Sequence, residues 1–198
     1  MSNKDCIIGI DFGAQLAGTT CCAVKHIGTN TVTILTSIKG KSADSFIYDC
    51  VKEFTPVLIG IDAPLSLPMF YTNPQQYTDN NYRFCDRELS AMSPMFLGGL
   101  TSRAMKIRYE LEQQKIQCIE VYPKAFVKKH FLDTLGYKES KEYIPNCIEA
   151  LMKIVDVSVN EPLSTWHEFD SLVAVAITER YYAKNADSVG NEEGYIYF

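Results

Sequence analysis

Two apolar runs in this chain end in the same tripeptide, Gly-Ile-Asp: CIIGID closes on Asp11 and VLIGID on Asp62. An acid ending a strand-like apolar run is unusual, and a matched pair asks for a shared reason. Side chains alternate along a strand, so Asp11 shares a face with Gly9 and Ile7, and Asp62 with Gly60 and Leu58. The Gly two residues before each Asp removes a side chain from the face on which that Asp stands. If the two strands are neighbours, the carboxylates project together over a cleared patch and repel unless a cation or a proton sits between them. The alternative is that each Asp ends its strand and caps the turn that follows.

Other residues join this pair. In the segment STWHEFDSLVAVAITERYY, Asp170 shares a helical face with Val173, Ala174, Ile177 and Tyr181. An acid on the apolar side of a helix's first turn is costly unless something pairs with it. The competing explanation, the helix dipole, accounts for its position along the helix better than for its face. Glu168 fits a capping box with Thr165, a structural task. His167 is a candidate ligand or proton shuttle, or simply a first-turn polar residue. Glu120, inside the run IEVYP, either points to the same end as Asp62 or faces outward from a half-exposed strand. Asp11, Asp62, Asp170 and Glu120 offer hard oxygen ligands with no His-Cys cluster, which suits one or two Mg²⁺ or Mn²⁺ ions rather than Zn²⁺. Paired divalent ions about 3.5–4 Å apart activate a water and stabilise the leaving oxygen of a phosphodiester.

Basic residues complement these acids. RFCDRELSA contributes Arg87, TSRAMKIR contributes Arg103, and YPKAFVKKH contributes Lys124 just after a strand. Thr101 is a candidate helix N-cap beside Arg103, an arrangement that can hold a phosphate. Each such charge taken alone is an ordinary solvated surface group. Their concentration in segments leaving the carboxylate end of the sheet makes them candidate substrate contacts.

The elements that must position these groups follow from periodicity. Runs at 6–12, 18–27 and 31–38 are β-branched and apolar with short turns between them, a three-stranded antiparallel meander. Residues 42–54 open on Ser42 and repeat apolar residues at helical spacing. A fourth strand at 56–62 is reached by that helical crossover and is expected to run parallel to one of the first three. Residues 63–100 hold four of the eight prolines and the pair Gly98-Gly99, with room for one short helix near 79–92. A loop of that length is usually functional. A helix from Thr101 to about 115, a fifth strand at 117–123, helices near 124–133, 140–154 and 166–183, and a tail that is an edge strand or a docked extension complete the order. The expectation is a single α/β domain over 1–198: a mixed five-stranded sheet, three meander strands plus two parallel ones, flanked by helices, of ribonuclease H-like architecture. In that architecture the first and fourth strands are parallel neighbours.

Composition bounds the rest. With 198 residues, 46% hydrophobic, the chain can bury a sizeable core. A net charge of −5 argues against a non-specific nucleic-acid coat protein but leaves room for a local basic groove. The seven Cys include no Cys-x-x-Cys pair, reading as reduced buried thiols and hence a cytoplasmic location. MSNKDC leads directly into a strand with no signal-type apolar region, and no run approaches the roughly 18 apolar residues of a membrane span.

The motifs IIGIDFGAQLAGTT, IDAPLSLP, RFCDREL, LTSRA, IEVYP and HEFDSLVAVAITERY resemble, in order, those of the domain of unknown function 429 family. That family is described as predicted nucleases of ribonuclease H-like fold, and the resemblance covers nearly the whole chain. The first and last motifs also look like those of Holliday-junction resolvases, which open with a Gly-x-Asp-x-Gly strand and end with a His-x-x-Asp helix. Asp11, His167 and Asp170 match that pattern by position. Asp62 takes the fourth-strand acidic place, where the resolvases carry Glu, while Glu120 rests on the first resemblance alone. The implied activity is a metal-dependent nuclease acting on structured nucleic acid, DNA or RNA. The competing readings are a non-catalytic binding module on the same fold, a phosphoesterase acting on nucleotides or other small phosphates, and an actin-like or sugar-kinase-type ATP-binding protein. The last needs two lobes and a second Gly-rich phosphate loop; here the second Gly-Ile-Asp runs into APLSLP.

Overall fold

Every residue of β1 (Cys6–Asp11) is buried, on both of its faces, as expected for a strand covered by helices above and below. The computed structural model describes residues 5–198, so the reading of the first four residues lies outside the described region. Strands β2 (Cys21–His26) and β3 (Thr31–Thr36) follow as the antiparallel meander. Helix α1 (Ala43–Phe54) crosses to β4 (Leu58–Asp62), and its N-cap Ser42 accepts a hydrogen bond from the Ser45 amide. β4 lies parallel to β1 in a register that sets Gly9 opposite Gly60 and Asp11 opposite Asp62.

The segment after β4 contains one 3₁₀ turn (Met69–Tyr71) and two short helices, α2 (Phe84–Leu89) and α3 (Pro94–Leu97). Helix α4 (Gly99–Gln113) begins two residues before the expected start. Thr101 is therefore not its N-cap: it lies buried within the first turn and donates to the Pro94 carbonyl at 2.8 Å. β5 (Gln117–Val121) pairs parallel with β4. Helices α5 (Pro123–Lys129), α6 (Ile144–Met152) and α7 (Trp166–Tyr182) follow, with the two-residue strand β6 (Ser158–Val159) between α6 and α7.

The tail is a hairpin of β7 (Ser188–Asn191) and β8 (Gly194–Tyr197), and β8 pairs parallel with β5. The mixed sheet thus has eight strands in the order β6-β3-β2-β1-β4-β5-β8-β7, where sequence patterning expects five. The additional strands are two to four residues long, too short for their periodicity to stand out in sequence.

The sheet divides two cores. One face packs Ile8, Ile10, Ile59 and Ile61 against Ile47 and Val51 of α1 and Ala104, Ile107 and Leu111 of α4. The other packs Ile7, Leu58, Ile119 and Val121 against Phe126 of α5, Leu151 of α6 and the buried side of α7. Helix α7 is buried on all sides from Phe169 to Thr178. No helix among the described residues is long and apolar enough to cross a membrane.

Candidate active site

The Gly-Ile-Asp echo has a packing reason beyond a cleared patch. A Cβ on Gly9 would stand 2.0 Å from the Val175 backbone nitrogen, and one on Gly60 would stand 2.0 Å from Thr178 Oγ1. Being adjacent in register, the two glycines form a saddle in which one turn of α7 lies directly on the sheet. Side-chain contacts fix the helix direction: His167 meets Asp11 at the carboxylate end of β1, and Glu179 meets Lys25, the strand partner of Ile7, at the other. α7 therefore runs antiparallel to β1 and brings its first turns to the acidic strand ends.

Three carboxylates gather there with different partners. Asp11 Oδ2 pairs with His167 Nδ1 at 2.8 Å. Asp170, almost wholly buried, receives the Tyr137 hydroxyl at 2.7 Å and the Lys138 ammonium at 2.6 Å. Asp62, partly buried beside Asp11, is reached by no hydrogen-bond donor among the described residues. Burial, then the Asp11 and Asp170 charges, push the Asp62 carboxyl well above the usual carboxylate range. Burial likewise raises Asp170, against the lowering effect of Lys138. The hydrogen bond to Asp11 raises the His167 pKa above its ordinary value, burial opposing it. Desolvation works against the Lys138 charge, but Asp170 outweighs it and the net shift is upward.

Glu120 stands apart from these three. In the parallel pairing of β4 with β5 it lies opposite Ile61, and cross-strand partners share a face. Its side chain therefore points to the α1/α4 side while Asp62 points to the α7 side, although both lie at the same end of the sheet. There Glu120 makes a two-pronged ion pair with Arg83, at 2.7 and 2.8 Å, and accepts the Leu65 amide at 2.8 Å. Arg83, wholly buried, also grips Asp86 through Nε and Nη2 and donates to Ser66 Oγ. Glu193 receives the Met69 and Phe84 amides, and its own carbonyl accepts from Ser66 Oγ, so the terminal hairpin is tied to the long segment after β4. Glu120 is thus a structural acid here.

The expected basic contacts also have other occupations. Arg87, well exposed, pairs with Asp79 and lies over the Tyr82 ring. Arg103 holds Asp44, donates to the Gly13 carbonyl at 3.1 Å and lies over Phe12, fixing the loop that leaves Asp11. Lys124 is exposed in the first turn of α5 and has no ion-pair partner among the described residues. Glu168 closes the capping box with Thr165 at the start of α7.

Sequence reasoning missed three residues that matter. Arg83 carried a signal, its spacing of three from Asp86, whose carboxylate accepts both the Arg83 amide at the start of α2 and the Arg83 guanidinium. Tyr137 and Lys138 carried none, because a Tyr-Lys pair in a turn reads as surface.

Cation fit is uneven. Side-by-side Asp11 and Asp62 with an unanswered charge match a hard, oxygen-loving ion. Yet among the described residues no three His, Cys, Asp or Glu side chains converge to hold one. The third carboxylate, Asp170, is engaged by Lys138. Compared with known proteins, the chain matches no family model and no curated protein.

Proposed function

We propose that this protein is a metal-dependent phosphodiesterase of ribonuclease H-like architecture, a nuclease, that takes Mg²⁺ or Mn²⁺ on Asp11, Asp62 and Asp170. The observation carrying the reading is the in-register Asp11–Asp62 pair, in which Asp62 has no donor and its charge is opposed by two neighbouring acids. The meander, the parallel β1–β4–β5 set and the acidic ends of β1 and β4 support the architecture.

A divalent ion bound there supplies Lewis acidity to a water and to a phosphate oxygen. The chain's own residues provide the rest. Asp11 and Asp62 present their oxygens side by side because the strands are in register. Helix α7 sets Asp170 against them because two glycines let it approach. His167, half-exposed and favoured in its protonated form by Asp11, is placed to give a proton to the leaving oxygen. Lys124 is the expected contact for a flanking phosphate.

A non-catalytic module that binds a partner with this same end of the sheet is the second reading; the prior engagement of Asp11 by His167 and of Asp170 by Lys138 favours it. A panel of branched DNA, flaps, RNA–DNA hybrids and single strands with Mg²⁺ or Mn²⁺ separates the two. The nuclease reading expects cleavage that falls by about a thousandfold in Asp11→Asn, a loss in line with other electrostatic site deletions. Cleavage surviving both Asp11→Asn and Asp170→Asn overturns it. A panel left intact throughout moves the protein to the binding module.

A further inference from the structure

We infer that His130 is a proton-operated release for the terminal hairpin: when its imidazole becomes charged, β7–β8 loosens from β5 and frees the segment that leaves Asp62. The release is independent of the chemistry proposed for the acids. Among the described residues, the buried side-chain nitrogen and oxygen atoms without a hydrogen-bond partner are His130 Nε2 and Arg180 Nε. Both belong to groups that lie against one ring. The His130 and Phe126 ring centroids are 4.4 Å apart, and the Arg180 guanidinium carbon stands 5.8 Å from the same Phe126 centroid. Protein interiors rarely leave such atoms unanswered, and here two of them share a cluster.

That cluster is also the root of the hairpin. Asp187, in the linker between α7 and β7, takes Lys129 of α5 at 2.5 Å and Arg180 of α7 at 3.5 Å. Its backbone exchanges two hydrogen bonds with Phe198, at 2.9 and 3.1 Å, which close the open end of the hairpin. Arg180 donates to the Asn185 carbonyl in the same linker at 3.3 Å, and the Lys129 ammonium stands 5.7 Å from the Phe198 ring centre. One carboxylate thus answers two cations, and a charged His130 makes three. Burial, then Arg180 and Lys129, hold the His130 pKa below its ordinary 6.5, against the opposite pull of Asp187. In the neutral ring Nε2 can go without a proton; in the charged ring it carries one and has no acceptor. Water entering the cluster relieves both costs. Asn185, Asp187 and Phe198 meet these cations from the hairpin side, so their withdrawal is what lets water in.

The hairpin's hold on the sheet is short. Its ladder to β5 has two residue pairs, Glu120 with Ile196 and Val121 with Tyr197, extended by the Tyr122 amide on the Tyr197 carbonyl. At its tip the buried Glu193 receives the first amide of the 3₁₀ turn, Met69, and the first of α2, Phe84. One hairpin side chain therefore caps two helical starts in the segment after β4, and its departure leaves both uncapped.

A base whose folded pKa lies below its unfolded value binds fewer protons when folded. The hairpin is therefore held well above pH 6.5 and loosens as pH falls through that value. Hydrogen exchange of the intact protein, read by mass spectrometry at about pH 8 and about pH 5.8 and corrected for intrinsic rates, tests this. Relative to β1 and β4, residues 188–197 and 69–89 are expected to lose protection at least about threefold at the lower pH. His130→Phe, which keeps a ring against Phe126 and cannot titrate, is expected to show equal protection at both. His130→Lys is expected to show the loosened hairpin already at the higher pH. Unchanged protection in the natural protein overturns the release. A loss that persists undiminished in His130→Phe also overturns it, because another group then titrates. Loosening of 188–197 with 69–89 unchanged overturns the link through Glu193. Should His130→Phe not fold, His130→Gln takes its place with the same expectation.

Discussion

Two groups of acids stand at the same end of one sheet and are treated in opposite ways. On the α1/α4 face, Glu120 and Asp86 close around a single buried guanidinium whose Nε and both terminal nitrogens all donate to carboxylates or Ser66. On the α7 face, Asp11, Asp62 and Asp170 share a half-exposed lysine and a half-exposed histidine, and Asp62 is left without a donor. The first arrangement is rigid and finished. A buried charge network of that kind stabilises only as long as all members are present. The second leaves one carboxylate without a donor beside two others whose partners are half-exposed to solvent. The difference separates Glu120 from Asp62 although one strand position and one strand spacing are all that divide them.

The sharpest way to break the finished side is Arg83→Met. It leaves two buried carboxylates without a partner, a loss of roughly 3–5 kcal/mol. Against a typical domain stability of about 5–15 kcal/mol this is expected to abolish or severely lower the urea unfolding midpoint. Adding Glu120→Gln and Asp86→Asn to Arg83→Met is expected to recover part of the loss, because the penalty lies in the orphaned charges. If Arg83→Met unfolds at the midpoint of the natural protein, the structural assignment of Glu120 fails.

The saddle offers the next effect. Gly9→Ala drives a methyl into the α7 backbone, which cannot rotate away, and is expected to cost about 3 kcal/mol in chemical unfolding. Gly60→Ala meets a threonine hydroxyl instead, a side chain able to turn aside, and is expected to cost less. Equal costs would show that the two glycines serve one clearance rather than two different contacts.

The smallest effect has the opposite sign. The Asp62 carboxyl is raised above its ordinary 3.8, so the folded chain disfavours its charged form. Its destabilisation is absent below that unfolded value and fully present once pH has risen through the folded-state pKa. Asp62→Asn is therefore expected to raise the melting temperature by about 3 °C at pH 8, an effect of roughly 1 kcal/mol. The gain should shrink to nothing as pH falls toward 4. Stabilisation on removing the acid would mark Asp62 as a side chain that the fold itself does not need. The same change at Glu120 is expected to destabilise.

Much of this architecture was legible in the chain. Strand periods gave the meander and the fourth and fifth strands, helical spacing gave α1, and Ser42 and the Thr165–Glu168 pair marked helix starts that the structure keeps. Asp11, Asp62, Asp170 and His167 were picked out by residue type and position, and the fold brings them to one place. Thr101 misled because its chemistry fits a cap, while the helix begins earlier at Gly99 and buries it. That Arg87 and Arg103 are held by Asp79 and Asp44 was not legible, because residue type carries no mark of whether a charge elsewhere in the chain has claimed it. Strands β6 and β7 were hidden because each is too short for alternation to register, and β8, legible only as a tail that is an edge strand or a docked extension, lies between β5 and the edge strand β7.

What the sequence by itself determined was local: which runs are strands or helices, where two strands end in an acid, and where a glycine precedes it. Those are properties of a few consecutive residues and their periodicity. Only the tertiary structure decided which acid answers to which cation. The Arg83–Glu120 contact spans 37 positions and the Tyr137–Asp170 contact 33, and neither is implied by any neighbouring residue. A one-residue difference in strand register turned Glu120 to one face and Asp62 to the other. Burial then gave those pairings their weight, since a charge removed from water depends on whatever partner the fold has brought within reach.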